Sequence, residues 1–247
     1  MVFNVLHGVD EKDPSTVTTP FQFDRKIKLA SLRIGVDANA PKEFVDKLKE
    51  LGMQPKTVGP RPTIPGIGGG GLNVEYSAAF EDYVERKAKE IGLDLNNIPA
   101  PTGGRSGGAP SSPPTPASCM APADWNPRFV RGRTVPAYQF IQNQRRRYAL
   151  VAAWAEYMKD LDMFIGSPTA DIAPNAQTGH PCVVVPYKFD RLASVAGSCP
   201  PPQAGWETKH QPIGAVITGN LYEDDKILSV AHQFQAATDI HLRRPAL

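Results

Sequence analysis

The apolar and polar positions of this chain follow two periods, one typical of strands and one typical of helices. Leu32, Ile34 and Val36 alternate with other residues, which predicts a half-buried strand. Pro41 then suits the start of a helix, because its fixed φ angle matches helical backbone. The apolar face of this predicted helix consists of Phe44, Val45, Leu48 and Leu51. The segment is therefore one strand-to-helix step of an α/β fold.

Two further stretches have helical spacing. The first ends at Gly92, a residue type that closes many helices in the left-handed conformation. Its apolar positions are Tyr76, Phe80, Tyr83, Val84, Ala88 and Ile91. The second runs from about Ala137 to Asp160 and carries Arg145 and Arg146 on its polar face. Its predicted apolar stripe consists of Ile141, Tyr148, Val151, Ala155 and Met158.

The last third of the chain alternates short apolar runs with helical patterns. Residues 163–166 and 213–218 predict buried strands, and the run Cys182–Pro186 is apolar enough to be a central strand covered on both faces. A helix with acidic residues in its first turn follows. Its predicted apolar face consists of Ile227, Leu228, Ala231 and Phe234. This alternation predicts an α/β sandwich.

Residues 99–127 interrupt the pattern with proline, glycine, serine, threonine and alanine. Such a composition offers too little apolar surface to offset the entropy of ordering it, so we expect an exposed insertion. Ser106 lies there between two glycine pairs, as a nucleophile loop would place it. Prolines rather than a helix pattern follow it, so the rigid support that a nucleophile needs is missing.

Composition and charge narrow the class of protein. Apolar residues make up 41% of the chain and charged residues 21%, and 27 basic against 25 acidic residues give a net charge of +2. This near-neutral balance gives no reason to expect a nucleic-acid partner. No apolar run is long enough to cross a membrane and the N-terminus lacks a signal-peptide pattern, so we expect a soluble, cytoplasmic protein. Cys119, Cys182 and Cys199 have neither disulfide nor zinc spacing.

Several residue patterns resemble chemical sites but lack the required context. Gly66 to Gly71 fits GxGxxG, yet prolines precede it where a nucleotide-binding fold needs a strand. Ser167, His180 and Asp171 supply the residue types of a hydrolase triad, which only geometry defines. None of the histidines has the i, i+4 spacing of helical metal ligands, so we expect neither metal nor cofactor. The histidines are His7, His180, His210, His232 and His241.

A basic cluster and a cysteine admit two interpretations each. The cluster could meet a phosphate or carboxylate, but a solvated helix face with salt bridges explains it better, because aromatic residues are not interleaved. It consists of Arg128, Arg131, Arg133 and Arg145 to Arg147. Cys182 is predicted to be a buried and inert thiol rather than a reactive one.

Ordered sequence blocks across nearly the whole chain resemble the amidase signature family of serine hydrolases, which cleave carboxamides. The blocks are GVDEKDPST at 8–16, FIGSPT at 164–169, TGHPCVVVP at 178–186, QPIGAVITG at 211–219 and ATDIHLRRP at 237–245. The resemblance implies the C-terminal half of an amidase signature α/β/α sandwich with a mixed central sheet. It implies one partial domain over residues 1–247, with the insertion at 99–127.

The resemblance assigns no catalytic residue to this chain. The family's lysine and two serines precede the block that here begins at Gly8, so the catalytic half is expected to be missing and the isolated chain to be inactive. Ser106 follows that block, which argues against a nucleophile there. The family's pocket loop implies Ser167, Thr169 and Asp171 as substrate-pocket residues.

Three functions therefore remain open. The first is part of an amide hydrolase that needs its complementing half to act on a small amide substrate, with an exposed sheet edge as a surface for association. The second is a noncatalytic remnant that serves as a binding or regulatory subunit. The third, RNA binding through the basic cluster, has little support from the net charge of +2.

Overall fold

The computed structural model describes residues 3–67, 70–96, 132–166, 172–191 and 210–243. The helices are α1 Phe3–Leu6, α2 Lys42–Glu50, α3 Gly70–Ala79, α4 Glu81–Ile91, α5 Ala137–Met158, α6 Ile172–Thr178 and α7 Asp224–Thr238. The strands are β1 Ile34–Val36, β2 Lys56–Thr57, β3 Met163–Ile165, β4 Cys182–Arg191 and β5 His210–Gly219. Short 3-10 turns lie at Leu29–Ser31, Gly132–Thr134 and Ile240–Leu242. The predicted insertion at 99–127 lies outside the described residues.

The five strands form one mixed sheet in the order β2-β1-β3-β5-β4. Strand β1 pairs in parallel with β2 and with β3, where Ile34 lies opposite Met163. Strand β3 pairs antiparallel with β5, with Met163 opposite Gly219. The mixed sheet with helices confirms the predicted fold class.

Contacts along the chain divide it into two compact units. The first comprises Met1–Pro62, Val151–Asp190 and Gln211–Leu247 and holds the sheet with α1, α2, α6 and α7. The second comprises Thr63–Leu150 and Arg191–His210 and holds α3 and α4. The prediction of a single partial domain remains a prediction.

The core of the first unit forms where helix faces cover the sheet. The apolar face predicted for α2 is confirmed, since Phe44, Val45 and Leu48 are buried and Pro41 is the residue that precedes the helix. Phe44 packs on Phe234 of α7, with ring centroids 4.6 Å apart. The core also contains Leu29, Leu32, Ile34, Met53, Met163, Ile165, Val185, Ala215, Ile217, Ile227, Val230 and Ala231.

The prediction of one continuous helix through Phe80 is wrong, because the segment forms two helices, α3 and α4. Phe80 has non-helical backbone angles, φ −113° and ψ 28°. Glu81 and Asp82 follow in the first turn of α4, where acidic side chains stabilise a helix start. The predicted end is confirmed, since Gly92 has the left-handed φ of 69°.

The apolar face predicted for α5 is confirmed at Met158 and is wrong at Ile141 and Tyr148. Ile141 and Tyr148 are exposed, and the buried positions are Leu150, Trp154 and Met158. These three residues recur every four positions and so form one stripe, which shares only Met158 with the predicted one. The large indole of Trp154 buries more apolar surface than the smaller residues of the predicted stripe, and that face packs in the interior.

Two smaller expectations fail for related reasons. The sequence predicts a central position for β4, but the strand lies at one end of the strand order, and Val184 is 51% exposed. Leu228 of α7 is exposed, whereas Val230 is fully buried. In both segments several adjacent residues are apolar, so sequence pattern alone does not define which of them face the core.

Candidate functional site

The predicted pocket residues Ser167, Thr169 and Asp171 lie outside the described residues, as does Ser106. Their roles therefore remain predictions, and so does the triad that would join two of them to His180. Within the described part of the chain, no group of histidine, cysteine, aspartate and glutamate side chains is arranged to hold a metal ion.

A buried polar cluster does lie beside the sequence block at 178–186. Asn175 of α6 donates through Nδ2 to the His180 carbonyl oxygen at 3.3 Å and to Thr218 Oγ1 of β5 at 3.2 Å. His180 Nδ1 is hydrogen-bonded to Thr178 Oγ1 at 2.9 Å. These contacts connect the turn after α6 to strand β5, and Gly179 has the positive φ of 81° that lets this turn reverse direction.

Burial keeps the side chains of this cluster neutral. Desolvation lowers the pKa of His180 below its usual value, so the imidazole carries no charge at pH 7. Burial also raises the pKa of Cys182, which follows two residues later. A protonated, partly buried thiol is a poor nucleophile, as the sequence predicted, although Cys182 is only partly covered.

Two buried polar atoms of this region have no hydrogen-bond partner within the described residues. They are Nε1 of Trp154 and Oδ1 of Asn175. The Trp154 ring packs against His180 at 5.4 Å and against Phe164 at 6.2 Å between ring centroids. A donor and an acceptor that remain unpaired in an interior are a feature of sites that hold water or a polar ligand group. Sequence reasoning missed both residues, and the spacing of Leu150, Trp154 and Met158 was the available signal.

A second polar group is an ion-pair network centred on Asp162, in which both carboxylate oxygens accept hydrogen bonds. Its carboxylate accepts hydrogen bonds from the backbone and guanidinium of Arg33 at 2.8 to 3.3 Å and from Lys226 Nζ at 3.1 Å. Burial opposes its ionisation, but these donors outweigh burial and lower the pKa of Asp162 to about 2. Because its oxygens are occupied and its pKa is low, Asp162 is suited to hold β1, β3 and α7 together rather than to accept a proton.

Two arginines of the predicted basic cluster bond to other groups of the protein. Arg133, on the 3-10 turn Gly132–Thr134, forms salt bridges with Glu81 at 3.4 Å and Glu85 at 3.6 Å. Arg146 donates to the Gly66 carbonyl oxygen at 3.2 Å. This arginine is therefore engaged with a carbonyl oxygen of the GxGxxG stretch, and it gives no support for a phosphate contact there.

Two other histidines, His7 and His232, pack against aromatic rings. His232 meets Phe23 edge-on, with centroids 5.7 Å apart, and His7 stacks on Phe3.

No helix in the described part of the chain is both long and apolar enough to span a membrane.

Comparison with known proteins adds relatives in sequence and in fold. No protein-family model matches the chain. The A subunit of the glutamyl-tRNA(Gln) amidotransferase from Thioalkalivibrio sulfidiphilus is 25% identical over 280 aligned residues, which cover 99% of this chain and 54% of that protein. Its counterpart in Chromobacterium violaceum is 32% identical over 116 residues, covering 44% of this chain and 23% of the relative. The chain thus spans about half the length, or less, of the curated relatives it matches.

A solved structure extends the likeness to the fold. A bacterial aryl acylamidase of the amidase signature family superposes with a TM-score of 0.56 at 15% identity, covering 98% of this chain and 52% of the other. The chain is therefore similar in sequence to these amidotransferase subunits, and it shares its fold with about half of an amidase signature enzyme.

Proposed function

We propose that this chain carries the C-terminal part of an amidase signature hydrolase of carboxamide C–N bonds. In this proposal it supplies one wall of the amide pocket, and it turns over no substrate until a polypeptide with the family's lysine and serines joins it. Residues 1–247 then belong to one incomplete catalytic domain, with an insertion at 99–127.

The arrangement of the sequence blocks carries the proposal. Blocks that are separate along the chain lie on three neighbouring strands, with Phe164 on β3, Cys182 on β4 and Gly214 on β5. Ser167, Thr169 and Asp171 follow β3 directly in sequence, and the buried cluster of Asn175 and His180 lies beside β5. We assign the three residues after β3 to the pocket and the buried cluster to its support.

Chemistry explains why this part is expected to be inactive by itself. Amide cleavage needs a nucleophile, a base that activates it and donors for the oxyanion, and each contributes orders of magnitude in rate. Among the buried polar groups, Asp162 is held ionised by its donors and His180 is hydrogen-bonded to Thr178. Within the described residues, neither side chain is hydrogen-bonded to a serine hydroxyl.

The direct test measures ammonia release from small aliphatic and aryl amides. The purified chain is assayed alone and after co-expression with the lysine–serine half of the Thioalkalivibrio relative, with the same half lacking its catalytic serine as the matched control. We expect turnover only with the intact half. Sequencing the DNA upstream of the Met1 codon, for an in-frame segment encoding a lysine and a glycine–serine loop, provides an independent check.

Each other outcome argues against the proposal. Turnover by the isolated chain would refute it, and loss of that turnover in Ser106→Ala would reassign the nucleophile to Ser106. Stable association without turnover would favour the noncatalytic binding or regulatory role instead.

A further inference from the structure

A cavity separate from the polar cluster lies between α1, the segment that follows it and the turn before α7. Its volume is about 160 Å³. An apolar cavity of roughly this size is large enough to hold benzene. The residues that line it are Phe3, His7, Val17, Thr19, Pro20, Phe21, Tyr222 and Asp224.

Aromatic rings form much of this lining. Phe3 and Phe21 are 4.7 Å apart between centroids at an angle of 60°, and His7 stacks on Phe3 at 5.2 Å. His7 is fixed in place by its Nδ1, which is hydrogen-bonded to the Phe3 carbonyl oxygen at 3.0 Å. The rings of Phe3, His7 and Phe21 are thus packed together at this cavity, which Tyr222 also lines.

Asp224 supplies the one acidic side chain of the lining. Its neighbours are already engaged, since Glu223 accepts from Lys226 Nζ at 2.7 Å and Asp225 accepts from the Gln22 backbone at 2.9 Å. The Asp224 carboxylate has no ion-pair or hydrogen-bond partner within the described residues. The lining contains no lysine or arginine among those residues.

Tyr222 lines the same cavity in a strained backbone conformation. Its φ of 65° lies in the left-handed region, which residues other than glycine rarely adopt, and the residue is 59% exposed. Such strain persists where the surrounding structure or a function requires it. Burial does not explain a tyrosine at this position, and the residue lines the cavity.

We propose that this cavity binds a small organic ammonium ion. Aromatic faces attract cations through their quadrupole and cover alkyl groups at the same time, while a carboxylate pairs with the charge. A cavity of this size admits a ligand with about as many heavy atoms as benzene or slightly more. The proposal is independent of the amidase assignment, because it uses none of the residues of the pocket or the polar cluster.

Choline and its neutral isostere 3,3-dimethyl-1-butanol test the proposal, with binding to the full chain followed by ligand-observed NMR. We expect saturable binding of choline and binding of the alcohol weaker by about tenfold, since the two differ in charge and not in shape. Asp224→Asn should weaken choline binding by about the same factor. Asp82→Asn, which removes an exposed acid from the first turn of α4, is the matched control and should change nothing.

Tyr222→Gly separates the binding role from a structural one. Glycine relieves the positive φ, so the variant should unfold at the same urea concentration as the parent, or a higher one, and yet lose choline affinity. Equal binding of choline and the alcohol, absence of saturable choline binding, or unchanged affinity in Asp224→Asn or Tyr222→Gly would each overturn the proposal.

Discussion

At the residue scale, Asp162 shows how a buried charge is stabilised in this sheet. Its residue exposure is 8%, a level at which an unpaired carboxylate would be strongly destabilised. Arg33 and Lys226 approach it from opposite ends of the sequence, and Lys226 is shared with Glu223. The sequence gives no local sign of this group, because Arg33 and Lys226 lie 129 and 64 residues away from it.

Replacement of Asp162 by asparagine should lower the free energy of unfolding at pH 7 by about 2 kcal/mol. This follows from a folded-state pKa of about 2 against an ordinary value of 3.8. The interactions of ionised Asp162 with Arg33 and Lys226 contribute fully to stability above about pH 4. This contribution is lost as the pH falls through the folded-state pKa of about 2. Urea unfolding at several pH values measures the difference, which should disappear at the acidic end.

The control for this prediction is Asp160→Asn, a change of the same chemistry two residues earlier at an exposed position. An exposed charge of this kind is expected to affect unfolding by less than about 0.5 kcal/mol. Equal effects of the two substitutions at pH 7 would contradict the role assigned to Asp162.

At the element scale, the close approach of neighbouring side chains to β1 explains why Gly35 occupies a strand position despite its low strand propensity. A Cβ atom placed on Gly35 of β1 would lie 2.8 Å from Leu161 Cδ1 and 3.1 Å from Val58 Cγ1. Glycine in a short strand is otherwise unfavourable, because it loses more backbone freedom on folding than other residues. Its presence within the alternating run of Leu32, Ile34 and Val36 is explained by this contact.

Gly35→Ala should therefore destabilise the protein by about 1 to 3 kcal/mol through overpacking. Gly59→Ala is the matched control, because a Cβ at Gly59 meets no atom within 4 Å. That variant should be neutral or slightly more stable, since alanine has fewer unfolded conformations to lose. Thermal or urea unfolding of both variants measures the effect, and similar results for the two would show that the contact at Gly35 is unimportant.

At the scale of the whole molecule, the position of β4 determines what the sheet exposes. Val184 is a large apolar residue on the strand at one end of the order β2-β1-β3-β5-β4. End strands with apolar side chains are surfaces on which other strands add. Because β4 has ten residues and β2, at the other end, has two, we predict that association through the sheet uses the β4 edge.

Val184→Lys should weaken concentration-dependent self-association, because a charged side chain on an end strand opposes strand addition. Leu72→Lys on α3 is the control, since Leu72 is 50% exposed but lies on a helix. Sedimentation velocity over a range of concentrations distinguishes the two. A parent chain that is monomeric throughout, or equal weakening by both variants, would refute the role of β4.

The sequence by itself determined the parts of this protein that depend on local periodicity and on ordered motifs. The strand at Ile34, the α2 face of Phe44 and Leu48, the helix end at Gly92 and the family resemblance all followed from residues close together in the chain. Backbone geometry and amphipathic burial act over a few residues, so these features can be recognised without neighbours in space.

The tertiary structure decided what depends on neighbours distant in sequence. It selected Trp154 over Ile141 for the buried face of α5, and it placed β4 at the end of the sheet. It also paired Asp162 with Arg33 and gathered Phe3, Phe21 and Tyr222 around one cavity. Burial and charge pairing are properties of packed surfaces, and a linear pattern with several apolar faces does not specify which of them will meet.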